Sequence, residues 1–140
     1  MIVDASVILG AFLPDEDQPQ AHALIRAHVS RHERLVAPNL LLFEVTNAVL
    51  VATRRERIAI ATGEAILRAF EGLHIELKPV AWPRILALAR RFGRSAYDAA
   101  YLALAEATGQ EMITGDARLY HAARRELEWV RWIGDYRVGE

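Results

Sequence analysis

The strongest constraint on the fold is an alternation of short apolar runs with longer segments of helical periodicity. Residues 2–4 and 111–114, IVD and EMIT, are typical of short buried strands, whereas residues 40–54 and 95–108 carry the apolar spacing of helices. Strands that alternate with helices along a chain indicate a parallel sheet covered by helices on both faces. The sequence therefore predicts an α/β fold with three layers, α/β/α.

Turn and breaker residues divide the rest of the chain into the same kinds of element. The predicted strands are residues 2–4, 34–38, 74–80, 111–114 and 128–135. The predicted helices are residues 6–13, 18–31, 40–54, 59–71, 83–92, 95–108 and 117–125. The helix at 40–54 is apolar on nearly every side, which predicts that it is buried, and Gly72 is expected to end the helix that precedes it.

Composition is that of an ordinary globular protein. At 140 residues the chain is expected to form one domain, residues 1–140, and a chain of this length buries roughly 68–70% of its unfolded surface. The absence of cysteine excludes disulfides and thiolate metal sites. No apolar run approaches the ~18 residues of a membrane span and no signal-peptide pattern is present, so a cytoplasmic protein is expected. The net charge of −1 does not by itself indicate a nucleic-acid partner.

Two aspartates lie where strands are predicted to end. Asp4 ends the first strand, and Asp116 follows the strand EMIT. In open parallel sheets, sites form beyond the carboxyl ends of the strands, near the point where the strand order reverses. The fold is therefore expected to bring Asp4 and Asp116 to the same edge of the sheet.

Two further acids lie on apolar helices. Glu44 lies in LLLFEVTNAVLV, with Asn47 three residues later on the same side, and Asp98 lies in the first turn of SAYDAAYLALA. A lone buried carboxylate costs several kcal/mol or more, so each acid needs a partner. If all four acids converge, their repulsion requires a cation, and Mg²⁺ or Mn²⁺ takes oxygen ligands of this kind. Such an ion can orient a water and stabilise charge on a phosphodiester.

Each acid also has an explanation that needs no ion. Asp4 and Asp116 suit the N-cap positions of the helices that follow them, and Ser95 with Asp98 fits an S-x-x-D capping box. Glu44 lies in mid-helix and cannot cap, so its alternative is an ion pair with an arginine. These explanations stay open at the level of sequence, and capping is compatible with a second role.

Four motifs, taken in order and spacing, resemble those of PIN-domain ribonucleases, most closely the toxin half of VapBC-type toxin–antitoxin pairs. They are an apolar strand ending in Asp with a hydroxyl residue two positions later, a Glu in an apolar helix after a Pro with an Asn three residues on, the run DAAYLALA, and a strand ending in T-x-D. The resemblance extends from IVDAS to EWVRWI, essentially the whole chain. The matching residues are Asp4, Ser6, Pro38, Glu44, Asn47, Asp98, Thr114 and Asp116.

The resemblance implies a parallel sheet of about five strands with the four acids in one cleft, and Mg²⁺- or Mn²⁺-dependent endonucleolytic cleavage of RNA. It implies that carboxylates hold the metal and its waters and that nearby polar groups assist them. The carboxylates are those of Asp4, Glu44, Asp98 and Asp116, and the assisting groups are those of Ser6, Asn47 and Thr114. It also implies a homodimer and a cognate VapB-type antitoxin whose tail blocks the cleft.

The segment after the last motif departs from the family pattern. Many relatives carry a further acid shortly after the T-x-D aspartate, where this chain has ARL. The departure favours one metal ion over two. Arg91 and Arg94, just ahead of Asp98, and Arg118, in the ARL segment, are the candidates for contact with RNA phosphates.

Three other functions are compatible with parts of this pattern. A PIN module could bind RNA or a protein partner without cutting, and a PIN nuclease could act on DNA. A phosphoacceptor signalling domain has a similar parallel sheet, but it needs paired acids after the first strand and a lysine after a late one. Here Ala5 follows Asp4 and the one lysine, Lys78, lies in mid-chain, so this alternative fits badly.

Overall fold

In the computed structural model, which describes residues 1–139, five short strands form one parallel sheet. The strands are β1 (Ile2–Val3), β2 (Val36–Pro38), β3 (Glu76–Lys78), β4 (Met112–Thr114) and β5 (Val130–Trp132). They lie in the order β3-β2-β1-β4-β5, and every pairing is parallel. The structure therefore confirms the predicted parallel α/β sheet of about five strands.

Seven α-helices connect the strands within the same residues. They are α1 (Ala5–Phe12), α2 (Pro19–Val29), α3 (Leu40–Arg54), α4 (Ile60–Gly72), α5 (Trp82–Phe92), α6 (Ala96–Thr108) and α7 (Ala117–Ala123), and a 3₁₀ turn (Ile133–Asp135) follows β5. Gly93 and Gly109 end α5 and α6 in the left-handed region, with φ of 61° and 63°, where a side chain would be strained. Pro19 begins α2 because the first turn of a helix needs no amide donor there.

The direction of chain travel reverses at β1. From β1 the chain adds β2 and β3 on one side, and it then returns to add β4 and β5 on the other. Right-handed crossovers place α1 to α4 on one face and α5 to α7 on the opposite face. In agreement, α1 packs against α2 and α3, α3 packs against α4, and α5 runs along α6. The switch point lies between β1 and β4, where Val3 pairs with Ile113.

The core lies on both sides of the sheet, and α6 is its most deeply buried helix. All seven residues from 99 to 105 are buried. Four of them are alanines, and small side chains let the helix lie close to the strands. Tyr101 is the large polar exception in this run, and it is 2% exposed. Its hydroxyl must therefore find a partner inside the protein.

Two expectations about the helices are wrong. The helix α3 is not buried all round: Phe43 is 71% exposed, and Leu42 and Leu50 are exposed beside it. The physical reason is that α3 packs against α1, α4 and β2, which leaves its outer face uncovered. Gly72 does not end a helix ahead of itself but forms the last residue of α4, and the chain then turns at His74, whose φ is 50°.

Among residues 1–139, none of the helices is both long enough and apolar enough to cross a bilayer.

Candidate active site

Asp4 lies at the end of β1 and is the most buried of the four acids. Its side chain is 6% exposed. Oδ1 accepts a hydrogen bond of 2.5 Å from the Ser6 hydroxyl, and Oδ2 accepts one of 2.5 Å from the Thr114 hydroxyl. Oδ1 also accepts a long bond from the Val7 amide, which makes Asp4 the N-cap of α1. Both oxygens are thus held in place by neighbouring donors.

Backbone amides fix the direction of both hydroxyl bonds. The Gly115 amide donates to Ser6 Oγ at 2.8 Å, and the Asp116 amide donates to Thr114 Oγ1 at 3.0 Å. Each hydroxyl accepts from an amide and so gives its own proton to Asp4. A Cβ on Gly115 would lie 3.3 Å from Ser6 Oγ, so glycine allows this close approach. The network ties the start of α1 to the corner between β4 and α7.

The environment of Asp4 opposes its ionisation. Burial raises the pKa of Asp4 to about 6, although the hydrogen bonds from Ser6, Thr114 and Val7 favour the charged form. The negative charge of Asp116 raises this pKa further. The two strand-end aspartates are therefore close enough to interact, as the sequence predicts.

Asp116 caps α7 and keeps one oxygen available. Its Oδ1 accepts hydrogen bonds from the amides of Arg118 and Leu119 at 3.0 and 3.2 Å. The capping explanation for Asp4 and Asp116 is thus correct as far as Oδ1 is concerned. Within residues 1–139, Oδ2 of Asp116 takes part in no hydrogen bond, so capping occupies half of the carboxylate.

Glu44 of α3 meets a phenol rather than an arginine. The Tyr101 hydroxyl on α6 donates a hydrogen bond of 2.5 Å to Glu44 Oε1. Burial raises the pKa of Glu44, the bond from Tyr101 works in the opposite direction, and the charge of Asp98 raises it again. The alternative explanation of Glu44 as a member of an ion pair is therefore wrong. The charged side chain that acts on the pKa of Glu44 is another acid, Asp98.

Asp98 carries its own counter-charge. Its Oδ2 accepts bonds of 3.1 and 2.9 Å from Nε and Nη2 of Arg94, and both side chains are 23% exposed. The N-cap of α6 is Ser95, whose hydroxyl oxygen accepts from the Asp98 amide at 3.1 Å. Half of the predicted capping box is thus present, while the Asp98 carboxylate is turned to Arg94.

Tyr101 interacts with three of the four acids. Burial raises the pKa of its phenol, followed by the bond to Glu44 and by the charges of Glu44, Asp4 and Asp98. Its hydroxyl therefore lies within electrostatic reach of acids from β1, α3 and α6. Sequence reasoning did not single out Tyr101, although a lone phenol in the buried run DAAYLALA was the available signal.

The chemistry of this donor set suits a hard divalent cation. Four carboxylates with hydroxyl neighbours offer oxygen ligands of the type that Mg²⁺ and Mn²⁺ prefer. In the described part of the chain, no three acidic or histidine side chains stand close enough together to surround one ion. The charge of Asp116 acts on the pKa of Asp4, and the charge of Asp98 acts on the pKa of Glu44, whose Oε1 is hydrogen-bonded to Tyr101.

The other predicted site residues are placed differently. Asn47 is exposed on α3, and its side chain forms no hydrogen bond within residues 1–139. Arg91 is exposed and pairs with Glu126 at 2.6 Å, and Arg118 is exposed at the start of α7. Arg94 has its guanidinium on Asp98. Ser6 and Thr114 are thus fully integrated in the acid cluster, whereas the arginines lie around it.

The fold and the family agree. The chain belongs to the PIN-domain family, since the model of that family, described as PIN domain, matches residues 1–125. The crystal structure of PAE2754 from Pyrobaculum aerophilum shares the fold with a TM-score of 0.72 and 22% identity, over 94% of this chain and 82% of that one.

Two similar proteins within the family are both named as VapC ribonucleases. The chain is 37% identical over 121 residues to Ribonuclease VapC9 of Mycobacterium tuberculosis, which covers 85% of this chain and 87% of that protein. It is 34% identical over 123 residues to Ribonuclease VapC3 of Pyrobaculum aerophilum, covering 85% and 91%. These similarities confirm the resemblance to VapC-type PIN ribonucleases and remove the phosphoacceptor alternative.

Proposed function

We propose that this chain is a divalent-metal-dependent endoribonuclease that hydrolyses RNA phosphodiester bonds as the toxin of a toxin–antitoxin pair. The observation that carries the proposal is the hydrogen-bonded cluster of Asp4, Ser6, Thr114 and Asp116 at the switch point of the sheet. The charges of Glu44, Asp4 and Asp98 all raise the pKa of Tyr101, which supports including Glu44 and Asp98 in the same site. Relatives named as VapC ribonucleases support the same activity.

The four carboxylates of Asp4, Glu44, Asp98 and Asp116 would hold one metal ion together with its waters, because no three of them in residues 1–139 stand close enough to surround an ion directly. When bound, Mg²⁺ or Mn²⁺ supplies an oriented water and stabilises negative charge on the phosphoryl oxygens. The protein's own contribution is to hold its ligands in position. Ser6 and Thr114 orient Asp4, Tyr101 orients Glu44 and leaves Oε2 free, and the cap on α7 orients Asp116.

Charge around the cluster is arranged for an anionic substrate. Arg118 is exposed two residues after Asp116, and Arg91 lies on the last turn of α5, ahead of Asp98. We assign Arg91, Arg94 and Arg118 to contact with RNA phosphates, with Arg94 also balancing the charge of Asp98. Asn47 presents an exposed amide from α3 as an ancillary polar group.

The proposed partners are a second copy of the chain and a VapB-type antitoxin whose tail blocks the cleft. The exposed apolar side chains of Leu42, Phe43 and Leu50 on α3 support an interaction surface, because monomeric proteins rarely leave such side chains grouped in water. An enzyme with an RNA substrate and a protein antitoxin would act in the cytoplasm.

A cleavage assay tests the proposal. Purified protein is incubated with mixed RNA in Mg²⁺ or Mn²⁺, with EDTA as the metal-free control and Asp116→Asn as the matched inactive variant. Metal-dependent fragments of defined size, lost in the variant, are the expected result. RNA binding without cleavage in any metal would favour the non-catalytic module, and cleavage of single-stranded DNA in preference to RNA would favour the DNA-directed nuclease.

A further inference from the structure

A second cleft, bounded by aromatic rings, opens beside the acid cluster. Tyr120 of α7 and Trp132 of β5 lie with ring centroids 5.5 Å apart at an angle of 48°. The guanidinium carbon of Arg124 lies 5.1 Å from the centre of the Tyr120 ring. Together with Glu128 and Asp135 they line a surface cleft of about 270 Å³.

Both rings are positioned by residues of the acid cluster. Trp132 is the ladder partner of Thr114, the residue whose hydroxyl holds Asp4, and paired strands lie about 4.8 Å apart. The Tyr120 amide donates to the Asp116 carbonyl at 3.0 Å, so Tyr120 lies one helical turn beyond Asp116. The two elements that carry the rings, α7 and β5, are thus joined through their backbone to Asp116 and Thr114 of the proposed cleavage site.

The functional groups of the cleft are those that recognise an unpaired nucleobase. Both rings are partly exposed, and stacking on an aromatic face accepts any base. The carboxylates of Glu128 and Asp135 form no ion pair or hydrogen bond within residues 1–139, and carboxylates accept hydrogen bonds from the amino groups of bases. Arg124 and Arg131 line the same cleft and balance the charge of the two carboxylates, so the two rings and the carboxylate acceptors are the groups that would recognise a base.

We propose that the aromatic cleft of Tyr120, Arg124 and Trp132 binds a base of single-stranded RNA next to the phosphodiester that is cut. The inference rests on the proposed ribonuclease function and adds to it a determinant of where the RNA lies. Single-stranded RNA is commonly held by bases stacked on aromatic side chains, with Arg over the ring system. The cleft therefore fixes the register of the strand relative to Asp4 and Asp116.

Gly134 sets the position of the indole. A Cβ at Gly134 would lie 2.6 Å from Nε1 of Trp132, closer than real atoms approach. The indole therefore lies against the backbone of the 3₁₀ turn. Gly134→Ala would displace the ring without removing it, which provides a variant that changes stacking geometry and keeps the aromatic group.

The test measures binding of a fluorescently labelled, eight-nucleotide single-stranded RNA by anisotropy in EDTA, where metal-dependent cleavage does not occur. Tyr120→Leu and Trp132→Leu are each expected to weaken binding about tenfold, since each removes one stacking surface. Tyr120→Phe keeps the ring and should bind like the wild type, because the Tyr120 hydroxyl makes no hydrogen bond within residues 1–139. Gly134→Ala should lower affinity by a smaller factor. Circular dichroism and a thermal melt of each variant check that it is folded.

Trp82→Leu is the control for loss of a surface tryptophan. Trp82 is exposed on α5 and lies two residues before Arg84, which contacts Glu106 at the end of α6 far from Asp98. Equal affinity of Tyr120→Leu and the wild type, or an equal loss in Trp82→Leu, would overturn the inference. A wild type that binds RNA through Tyr120 but cuts none in Mn²⁺ would instead overturn the proposed nuclease. The two failures are therefore distinguishable.

Discussion

Tyr101 and Glu44 lie 57 residues apart in the chain, and the phenolic hydroxyl of one donates a 2.5 Å hydrogen bond to Oε1 of the other. The bond joins α6 on one face of the sheet to α3 on the other, around the carboxyl ends of the strands. It restrains one oxygen of Glu44 while Oε2 stays available. A buried phenol thus holds the acid that comes from the most exposed of the contributing helices.

Tyr101→Phe should weaken metal binding more than it weakens the fold. The change removes the donor to Glu44 and keeps the ring in the core. Loss of a partner that orients a ligand typically costs 10–100-fold in metal affinity, so we expect Mn²⁺ affinity by calorimetry to fall about tenfold, with slower RNA cleavage. Tyr97→Phe, at an exposed position on the same helix, is the matched control. Unchanged Mn²⁺ affinity in Tyr101→Phe would show that the phenol has a packing role alone.

Asp4→Asn should abolish cleavage and stabilise the metal-free protein at alkaline pH. Burial raises the pKa of Asp4 from 3.8 to about 6, so its contribution to stability is fully present below pH 4 and is lost as the pH rises through 6. The loss corresponds to on the order of 3 kcal/mol. Asparagine does not ionise, so the variant does not lose this stability as the pH rises. Melts in EDTA at pH 5 and pH 8 should therefore show a larger advantage of the variant at pH 8, and an equal or reversed difference would contradict the raised pKa.

Thr114→Val should destabilise the protein and inactivate it. Valine has the shape of threonine, but it gives Asp4 no donor and leaves the Asp116 amide without its acceptor. A hydrogen bond to a charged group contributes about 1.5–3 kcal/mol, so urea unfolding should show a loss of about that size. Thr114→Ser keeps the hydroxyl and loses a methyl group, and it should retain cleavage. If both variants cleave RNA equally, the hydroxyl does not position Asp4.

Arg94→Gln should show whether this arginine neutralises the charge of Asp98, binds RNA phosphates, or does both. Removing the guanidinium leaves Asp98 beside Glu44 without its counter-charge, so the metal-free protein should lose stability and regain it with Mn²⁺. Arg91→Gln breaks an exposed pair with Glu126 and should change stability by less than about 1 kcal/mol. Thermal melts with and without Mn²⁺ give the comparison. A fall in RNA affinity for both variants would support phosphate contact by both arginines.

Phe43→Lys should convert a dimer into a monomer without harming the fold. Phe43 is 71% exposed on α3, so its replacement removes no core packing. A charge placed between Leu42 and Leu50 would oppose burial of this face against a second copy. Sedimentation velocity measures the change, and Val29→Lys on α2 is the control at another exposed apolar position. A wild type that sediments as a monomer at all concentrations would contradict the proposed homodimer.

The positions of Asp4 and Asp116 could be predicted because each follows an apolar run that is recognisable locally, and because the topology of a parallel sheet brings strand ends together. Parallel strands end at one edge, so Asp4 and Asp116 could be placed together from their positions after two apolar runs. Their capping roles also followed from the helices that come next. The order of elements was predictable for the same reason, because periodicity and breaker residues are local signals.

Contacts between distant helices were not predictable in the same way. The partner of Glu44 depends on how α3 and α6 approach each other around the sheet, and one sequence does not contain that distance. The exposure of Phe43 was missed because an apolar helix that faces a core and one that faces a partner have the same composition. The contact of Arg94 with the Asp98 carboxylate, one helical turn along the chain, was not among the expectations, and it is compatible with the proposed contact of Arg94 with RNA.

The central position of β1 has a consequence for synthesis of the chain. Asp4 leaves the ribosome before its partner Thr114, which follows 110 residues later. At about 5–20 residues per second, roughly 5 to 20 seconds separate the two. A growing chain therefore carries no assembled acid cluster until Thr114 has emerged, so the ribosome that makes it does not meet a complete site before that point.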